Sequence, residues 1–125
     1  MTKIPVAIVG AVSILLIATQ AYAQKQTEIY IPIGQSPGVS HTQTYIGPIT
    51  AMDSSAGKLT VGSGGGAHVV TVTDKTRIWL DRSKQKLSNQ AGKMSDLQVG
   101  RTVEVKYAKS TEPMEAEWIK VEIGS

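Results

Sequence analysis

Residues 101–107 read RTVEVKY, and this stretch decides the fold class because its apolar residues alternate with polar ones. Successive side chains of a β-strand point to opposite faces of a sheet, so Val103, Val105 and Tyr107 share one face. The polar residues between them share the other face. The stretch therefore predicts a strand with one side against a core and one side toward solvent.

Further short β patterns, separated by turn residues, lie on both sides of this strand. The predicted strands are 45–52, 58–61, 68–73, 76–80, 101–107 and 114–123, with one helical turn at 94–97. Three strands, a helical turn and two more strands follow the order of an OB-fold. The sequence therefore predicts an all-β protein, a small five- to six-stranded OB-like Greek-key barrel with an extended N-terminal arm. An open β-sandwich or an SH3-like barrel is the alternative.

The first 23 residues have the composition of an export leader. Lys3 is the only charged residue before the apolar run 4–18, and Ala21 and Ala23 stand at the small-residue positions that a signal peptidase reads. The apolar run is shorter than the roughly 20 residues of a membrane-spanning helix, and an uncleaved anchor is the alternative. We therefore expect a periplasmic or secreted protein with no membrane span after leader removal. The predicted segments are a signal peptide at 1–23, an N-terminal arm at 24–43 and a β-barrel domain at 44–125.

Composition limits both the core and the partners of the mature chain. The sequence has no Cys and no Phe, so disulfides and phenylalanine rings contribute nothing to its stability. Its 13 Lys+Arg and 10 Asp+Glu give a net charge of +3, which falls to +2 (12 − 10) when Lys3 leaves with the leader. This weak positive charge does not indicate nucleic acid, and export also argues against it. We expect a monomer without a cofactor.

Several short runs across residues 45–123 form a recurrent pattern. They are GPITAMD at 47–53, GKLTV at 57–61, VTVT at 70–73, TRI at 76–78, DLQVG at 96–100 and VEV at 103–105. Together they resemble a bacterial family of small exported β-barrel domains of unknown function. Similar spacing occurs in the periplasmic copper/silver chaperone of the Cus efflux system, an OB barrel that binds Cu(I) through one His and two Met beneath a Trp. Glycine-rich residues 62–66 replace the segment that carries that Trp and the paired Met.

Both tryptophans fall on the polar faces of their predicted strands. Trp118 shares a face with Lys120, and Trp79 shares one with Arg77. A bare indole on a solvent face is unfavourable, so a partner or the arm, through its apolar run 29–33, should cover them. We expect the partner to be another envelope protein. The predicted partner-binding residues are Trp79, Trp118, Tyr30, Arg77, Arg82, Lys84 and Lys86.

The soft metal ligands are scattered along the sequence. His41 lies in the arm and His68 begins the third strand, while Met52 and Met114 lie in the first and last strands. Copper(I) suits Met and His in a cysteine-free exported protein. Met52 and Met114 would meet if the first and last strands paired to close a barrel. A metal carrier using these four residues is an alternative function, and core Met with surface His is the structural interpretation.

A basic group around the polar stretch 81–93 adds a second form of the carrier hypothesis. OB-folds bind oligonucleotides and oligosaccharides through loops and one sheet face, so an anionic polymer is the other candidate ligand. The carboxylates are dispersed, and no serine has a nucleophile motif around it, so we expect no catalytic residues and no enzyme. The sequence predicts an exported, non-catalytic binding or accessory module of the cell envelope.

Overall fold

The computed structural model describes residues 31–109 and 114–124. This part of the chain is all-β, as predicted, and its helical segments are single 3-10 turns. The predicted signal peptide, the first part of the predicted arm and Tyr30 lie outside the described residues. The strands are β1 (Thr44–Asp53), β2 (Lys58–Val61), β3 (His68–Thr71), β4 (Arg77–Asp81), β5 (Gln90–Ala91), β6 (Thr102–Lys109) and β7 (Met114–Glu122).

The strands close into a ring. β1 pairs antiparallel with β2 and β6, β2 pairs with β3, and β6 pairs with β7. A short parallel pairing of β3 with β7, Val70 beside Met114 and Thr71 beside Glu115, completes the circuit. The expectation that closure pairs the first and last strands is wrong, because β6 lies between β1 and β7.

Strands β4 and β5 extend the sheet beyond this ring. The second half of β7 pairs in parallel with β4, and β4 pairs antiparallel with β5. The described residues contain seven strands, one more than the upper end of the predicted five to six. β5 was missed because Gln90 and Ala91 are both exposed and give no apolar alternation. The predicted helical turn is present as a 3-10 turn at Met94–Asp96.

The interior of the ring is filled by branched aliphatic side chains, in agreement with the alternation in β6 and β7. Val103, Val105, Ile119 and Val121 are at most 1% exposed. Such side chains stabilise a domain of this size by roughly 1.5–3 kcal/mol each when fully buried. The other buried members of this core are Ile49, Leu59, Val61, Val70, Val72, Leu97 and Ala116.

Each helical segment among residues 31–109 and 114–124 is a single turn, too short to cross a membrane.

Candidate functional site

The outer face of β1, β6, β7 and β4 carries two rows of side chains, fixed by the strand register. One row runs from Ile46 through Glu104 and Lys120 to Trp79. The second row runs from Thr44 through Lys106 and Trp118 to Arg77. The face that sequence patterning assigns to solvent thus carries both polar and aromatic residues.

Residues 31–43, here called the arm, contact this face. The arm contains consecutive turns rather than a strand: Ser40 N donates to Ser36 O (3.0 Å) and Gln43 N donates to Val39 O (2.8 Å). Such turns place Ser36, Val39 and Ser40 in the direction of the sheet, where the first two are buried and the third is half-buried. The arm therefore offers two hydroxyls and one branched aliphatic side chain to the face.

Glu104 is the central anchor of the arm. Its carboxylate has no solvent exposure (0%) and accepts three hydrogen bonds. Gly34 N donates to Oε1 (3.0 Å), while Ser40 Oγ (2.6 Å) and Thr44 Oγ1 (2.9 Å) donate to Oε2. A buried carboxylate is tolerated only when its oxygens are satisfied in this way. Glu104 thereby links the middle of the arm, its end and the start of β1.

Lys120 lies opposite Glu104 on the neighbouring strand and is equally buried (0%). Its Nζ donates to Ser36 Oγ (3.0 Å) and lies 4.6 Å from the ring centroid of Trp118. Opposite charges on directly paired strand positions attract, and an ammonium over an indole face adds a cation–π interaction. The lysine therefore connects the arm to the tryptophan pair.

Asp81 and Asn89 fix the beginning of the arm through its backbone. Ile33 N donates to Asp81 Oδ2 (2.9 Å), and Asn89 Nδ2 donates to Ile31 O (3.2 Å). The second oxygen of Asp81 accepts from Ser83 N (2.9 Å), so the same carboxylate also orders the turn after β4. Asp81 and Asn89 are 3% and 8% exposed, which keeps these bonds away from water.

The two tryptophans are covered by the arm. Trp79 and Trp118 are 7% and 4% exposed, lie 5.9 Å apart between ring centroids, and form a small cluster with Val39. The prediction that the arm covers the indoles is confirmed in outline, but the covering residue is Val39. The described residues of the predicted covering run 29–33 are half-buried and are held by backbone hydrogen bonds of Ile31 and Ile33.

The predicted basic residues differ in their exposure and in their hydrogen-bond and salt-bridge partners. Arg77 and Lys86 are exposed, and Lys86 has a positive φ of 60° at the end of a 3-10 turn. Arg82 donates through Nε to Ser88 O (2.8 Å), and Lys84 forms a salt bridge with Glu122. Arg77 begins β4 opposite Trp118, while the other three lie in or beside the 3-10 turn after β4; the role of all four in partner binding stays a prediction.

The predicted metal ligands lie on different elements. His41 is exposed in the arm, with a positive φ of 69°, while His68 is half-buried at the start of β3. Met52 and Met114 are separated along the ring by β2 and β3, in the paired row Met52, Leu59, Val70, Met114. Within the described residues, no three His, Cys, Asp or Glu form a group that could hold a metal.

The sequence did not predict an aromatic cluster that forms around Tyr45, near the beginning of β1. The ring of His68 lies 4.1 Å from Tyr45 and 6.4 Å from Tyr107 between centroids. Tyr45 donates to Gly66 O (2.6 Å), and a Cβ on Gly62, where φ is +84°, would lie 2.5 Å from its hydroxyl. The glycines of the β2–β3 connection thus accommodate a tyrosine.

Tyr107 is the unsatisfied member of this cluster. Among the described residues its buried hydroxyl has no hydrogen-bond partner. Burial, and then the neighbouring Tyr45, raises the pKa of Tyr107 above its ordinary value. The cluster packs on the ring interior and caps it.

Sequence reasoning missed the polar residues that hold the arm. Glu104 and Lys120 were assigned to a solvent face by alternation, and Asp81 and Asn89 were read as part of a polar loop. The available signal was the misplaced tryptophan pair on the same face, which requires a cover. It does not say that the neighbouring charges are covered as well.

Comparison with known proteins gives a family and a distant structural relative. A family model described as a domain of unknown function (DUF5666) matches residues 46–120. No curated protein matches the chain. The crystal structure of Ag(I)CusF matches with a TM-score of 0.42 and 14% identity, covering 62% of this chain and 93% of that chain. The resemblance to a family of unknown function, and distantly to the copper/silver chaperone, is confirmed; at this level the structural likeness says nothing about a ligand.

Proposed function

We propose, on the premise that the chain belongs to the DUF5666 family of domains of unknown function, that it works outside the cytoplasm as a non-catalytic binding module. Its partner in this proposal is another protein of the cell envelope. The leader at 1–23, with its single early charge and its two spaced alanines, supports export. The ring of paired strands supports an OB-type barrel, a fold that binds ligands on its outer surface and loops.

The observation that carries the proposal is the use of the buried polar side chains on the outer face. Glu104, Lys120, Asp81 and Asn89 each hold an atom of the arm. Their hydrogen-bonding capacity is directed at a polypeptide segment rather than at a cleft. The two carboxylates are occupied by N–H and O–H donors, which leaves them poorly placed for acid–base chemistry. The face is therefore built for recognition of a chain.

The exposed cations at its margin supply the contact that a second protein would reach first. Arg77 and Lys86 are exposed beside the covered face, and long-range attraction by such charges accelerates association with an acidic surface. The β2–β3 surface of the ring, marked by exposed Lys58, lies elsewhere. OB-folds commonly bind ligands on that second surface, so the two can be compared directly.

The test is cross-linking and affinity capture of the full chain from an envelope extract of the producing organism. We expect one stoichiometric protein partner, captured by the wild type and by Lys58→Glu but lost in the double variant Arg77→Glu/Lys86→Glu. Mass spectrometry of the purified chain should show a mature form beginning at Gln24.

Two results would overturn the proposal. If Lys58→Glu alone failed to capture the partner, the partner would bind the β2–β3 surface instead. Copurification of an ion or an anionic polymer without a protein would favour the small-ligand carrier. Tight Ag(I) binding in calorimetry, abolished by His68→Ala, would identify that carrier as one for a soft metal.

A further inference from the structure

We infer that the outer face of β4, β6 and β7 is a peptide-binding site, that the arm fills it intramolecularly, and that a segment of the partner with the same turns takes the arm's place. This inference rests on the proposed function and names the partner's binding segment. Its basis is the set of three buried side chains that read the arm's main chain. Asn89 donates to Ile31 O, while Asp81 and Glu104 accept from Ile33 N and Gly34 N.

Recognition of main-chain atoms is independent of the ligand's side chains. Every polypeptide carries the same N–H and C=O groups, so the three contacts fit any segment that forms the same turn, in which Gln35 N donates to Pro32 O (3.2 Å) and Gly34 has a φ of 82°. The three reading groups are 0–8% exposed, and hydrogen bonds in a site shielded from water are stronger than those in solvent. This part of the site supplies affinity rather than selectivity.

Selectivity comes from the second half of the arm. Lys120 meets the hydroxyl of Ser36, and Glu104 meets the hydroxyl of Ser40. Between them Val39, 5% exposed, packs with Trp79 and Trp118. The preferred ligand is thus a segment of consecutive turns in which two hydroxyl residues, four positions apart, flank a branched aliphatic residue. A charged residue at the aliphatic position would be buried against the indoles without a partner.

The chemistry of the face permits exchange of one segment for another. When the arm leaves, Glu104, Lys120 and Asp81 regain water, so the open state costs less than an uncovered apolar face of equal area. The arm joins β1 near His41, a non-glycine residue in the left-handed region (φ 69°). A non-glycine residue in this region carries a conformational cost, which a rearrangement of the junction would relieve.

Peptide binding to the full mature chain tests the inference. The probe is a fluorescein-labelled peptide with the sequence of residues 31–43, and the loosened protein is Val39→Asp. We expect the probe to bind Val39→Asp at least about tenfold tighter than the wild type, because the wild-type arm competes at an effective concentration near the mM range. Val69→Asp, which alters an exposed residue of β3, should bind like the wild type.

A second loosened protein guards against misfolding of Val39→Asp. Ser36→Ala/Ser40→Ala removes the two hydroxyl contacts and should bind the probe more tightly than the wild type, while near-UV circular dichroism reports a folded ring. A control peptide that carries the Val39→Asp change should bind none of these proteins. Equal affinity of the wild type and both loosened variants, or equal binding of the control peptide, would overturn the inference.

Two further outcomes separate this inference from the proposed function. A captured envelope partner together with no peptide binding would leave the proposed function standing and refute the peptide site. Dimerisation of the wild-type chain at high concentration, abolished by Val39→Asp, would show that the occupant is the arm of a second copy and would contradict a separate partner.

Discussion

The inside and the outside of the same strands are stabilised by different chemistry. On β6 and β7 the inward residues Val103 and Ile119 are fully buried aliphatics, while the outward residues Glu104 and Lys120 are fully buried charges. The inner face needs only volume and shape, so many sequences could fill it. The outer face needs specific donors and acceptors, because a buried charge without partners is costly. The difference teaches that the outer face and the arm it holds, and not the interior of the ring, require this particular sequence.

The largest loss of stability should come from removing the Glu104 carboxylate at the centre of the outer face. Glu104→Ala leaves three donors without an acceptor and Lys120 without its cross-strand partner, which we expect to lower the free energy of unfolding by about 4 kcal/mol. Urea denaturation monitored by circular dichroism measures the loss. Glu104→Gln keeps one acceptor oxygen and should lose about half as much. An alanine variant within about 0.5 kcal/mol of the wild type would mean that the arm is held by other contacts.

Truncation on the inner face should cost slightly less and leave the arm in place. Ile119→Ala removes a buried aliphatic side chain, for which we expect a loss of about 3 kcal/mol from transfer and cavity terms. Its tryptophan emission in the folded state should match the wild type, because both indoles lie on the opposite face. A red-shifted emission would show that the two faces are not independent.

The apolar contact of the arm gives the next smaller effect. Val39→Ala removes two methyl groups from the indole pair, with an expected loss of about 2 kcal/mol. Unlike Ile119→Ala, it should red-shift tryptophan emission under native conditions, since water reaches Trp79 and Trp118. Val69→Ala, at an exposed position, is the matched control and should change neither quantity. Unchanged emission in Val39→Ala would show that another segment covers the pair.

The aromatic cluster offers the smallest effect and one of opposite sign. Tyr107→Phe removes a buried hydroxyl without a partner among the described residues, so we expect a gain of about 1 kcal/mol at neutral pH. Tyr45→Phe removes the hydrogen bond to Gly66 O and should lose about the same amount. Destabilisation by Tyr107→Phe would show that the hydroxyl has a partner after all.

The Tyr107→Phe variant also tests how the stability of the folded chain falls at alkaline pH. The pKa of Tyr107 is raised in the folded chain, so its neutral form is favoured by folding. The stability that this preference for the neutral form contributes is fully present below the ordinary tyrosine pKa of 10.0. It is lost as the pH rises through the higher pKa of the folded chain. Thermal melts from pH 9 upward should therefore fall less steeply for Tyr107→Phe than for the wild type. Parallel slopes would contradict the assignment.

Much of the ring was predictable because its interior follows one simple rule. Alternation placed Val103, Val105 and Ile119 inside, and turn residues located the strand ends to within a few positions. β5 was not predictable, since its two residues are exposed and join the sheet through backbone bonds to β4 alone. Ring closure through β3 and β7 was also hidden, because register between distant strands leaves no local pattern.

The candidate site was predictable only in part. Trp79 and Trp118 drew attention because they stood on the wrong faces, and an arm to cover them followed from that conflict. Val39 was not identified, because the apolar run at 29–33 gave the stronger signal. Glu104 and Lys120 could not be distinguished from ordinary surface charges, since alternation describes a side chain's direction and says nothing of what lies beyond it.

The short seam between β3 and β7 determines where the ring is weakest. Among residues 31–109 and 114–124, only Val70 and Thr71 of β3 are registered against β7, whereas β6 and β7 are paired along most of their lengths. Local opening with little lost contact should begin there, allowing the β2–β3 hairpin to swing away while the arm stays bound to the opposite side. Amide protons along that seam would then exchange with solvent earlier than those of β6, and a protease would cleave the chain first beside it.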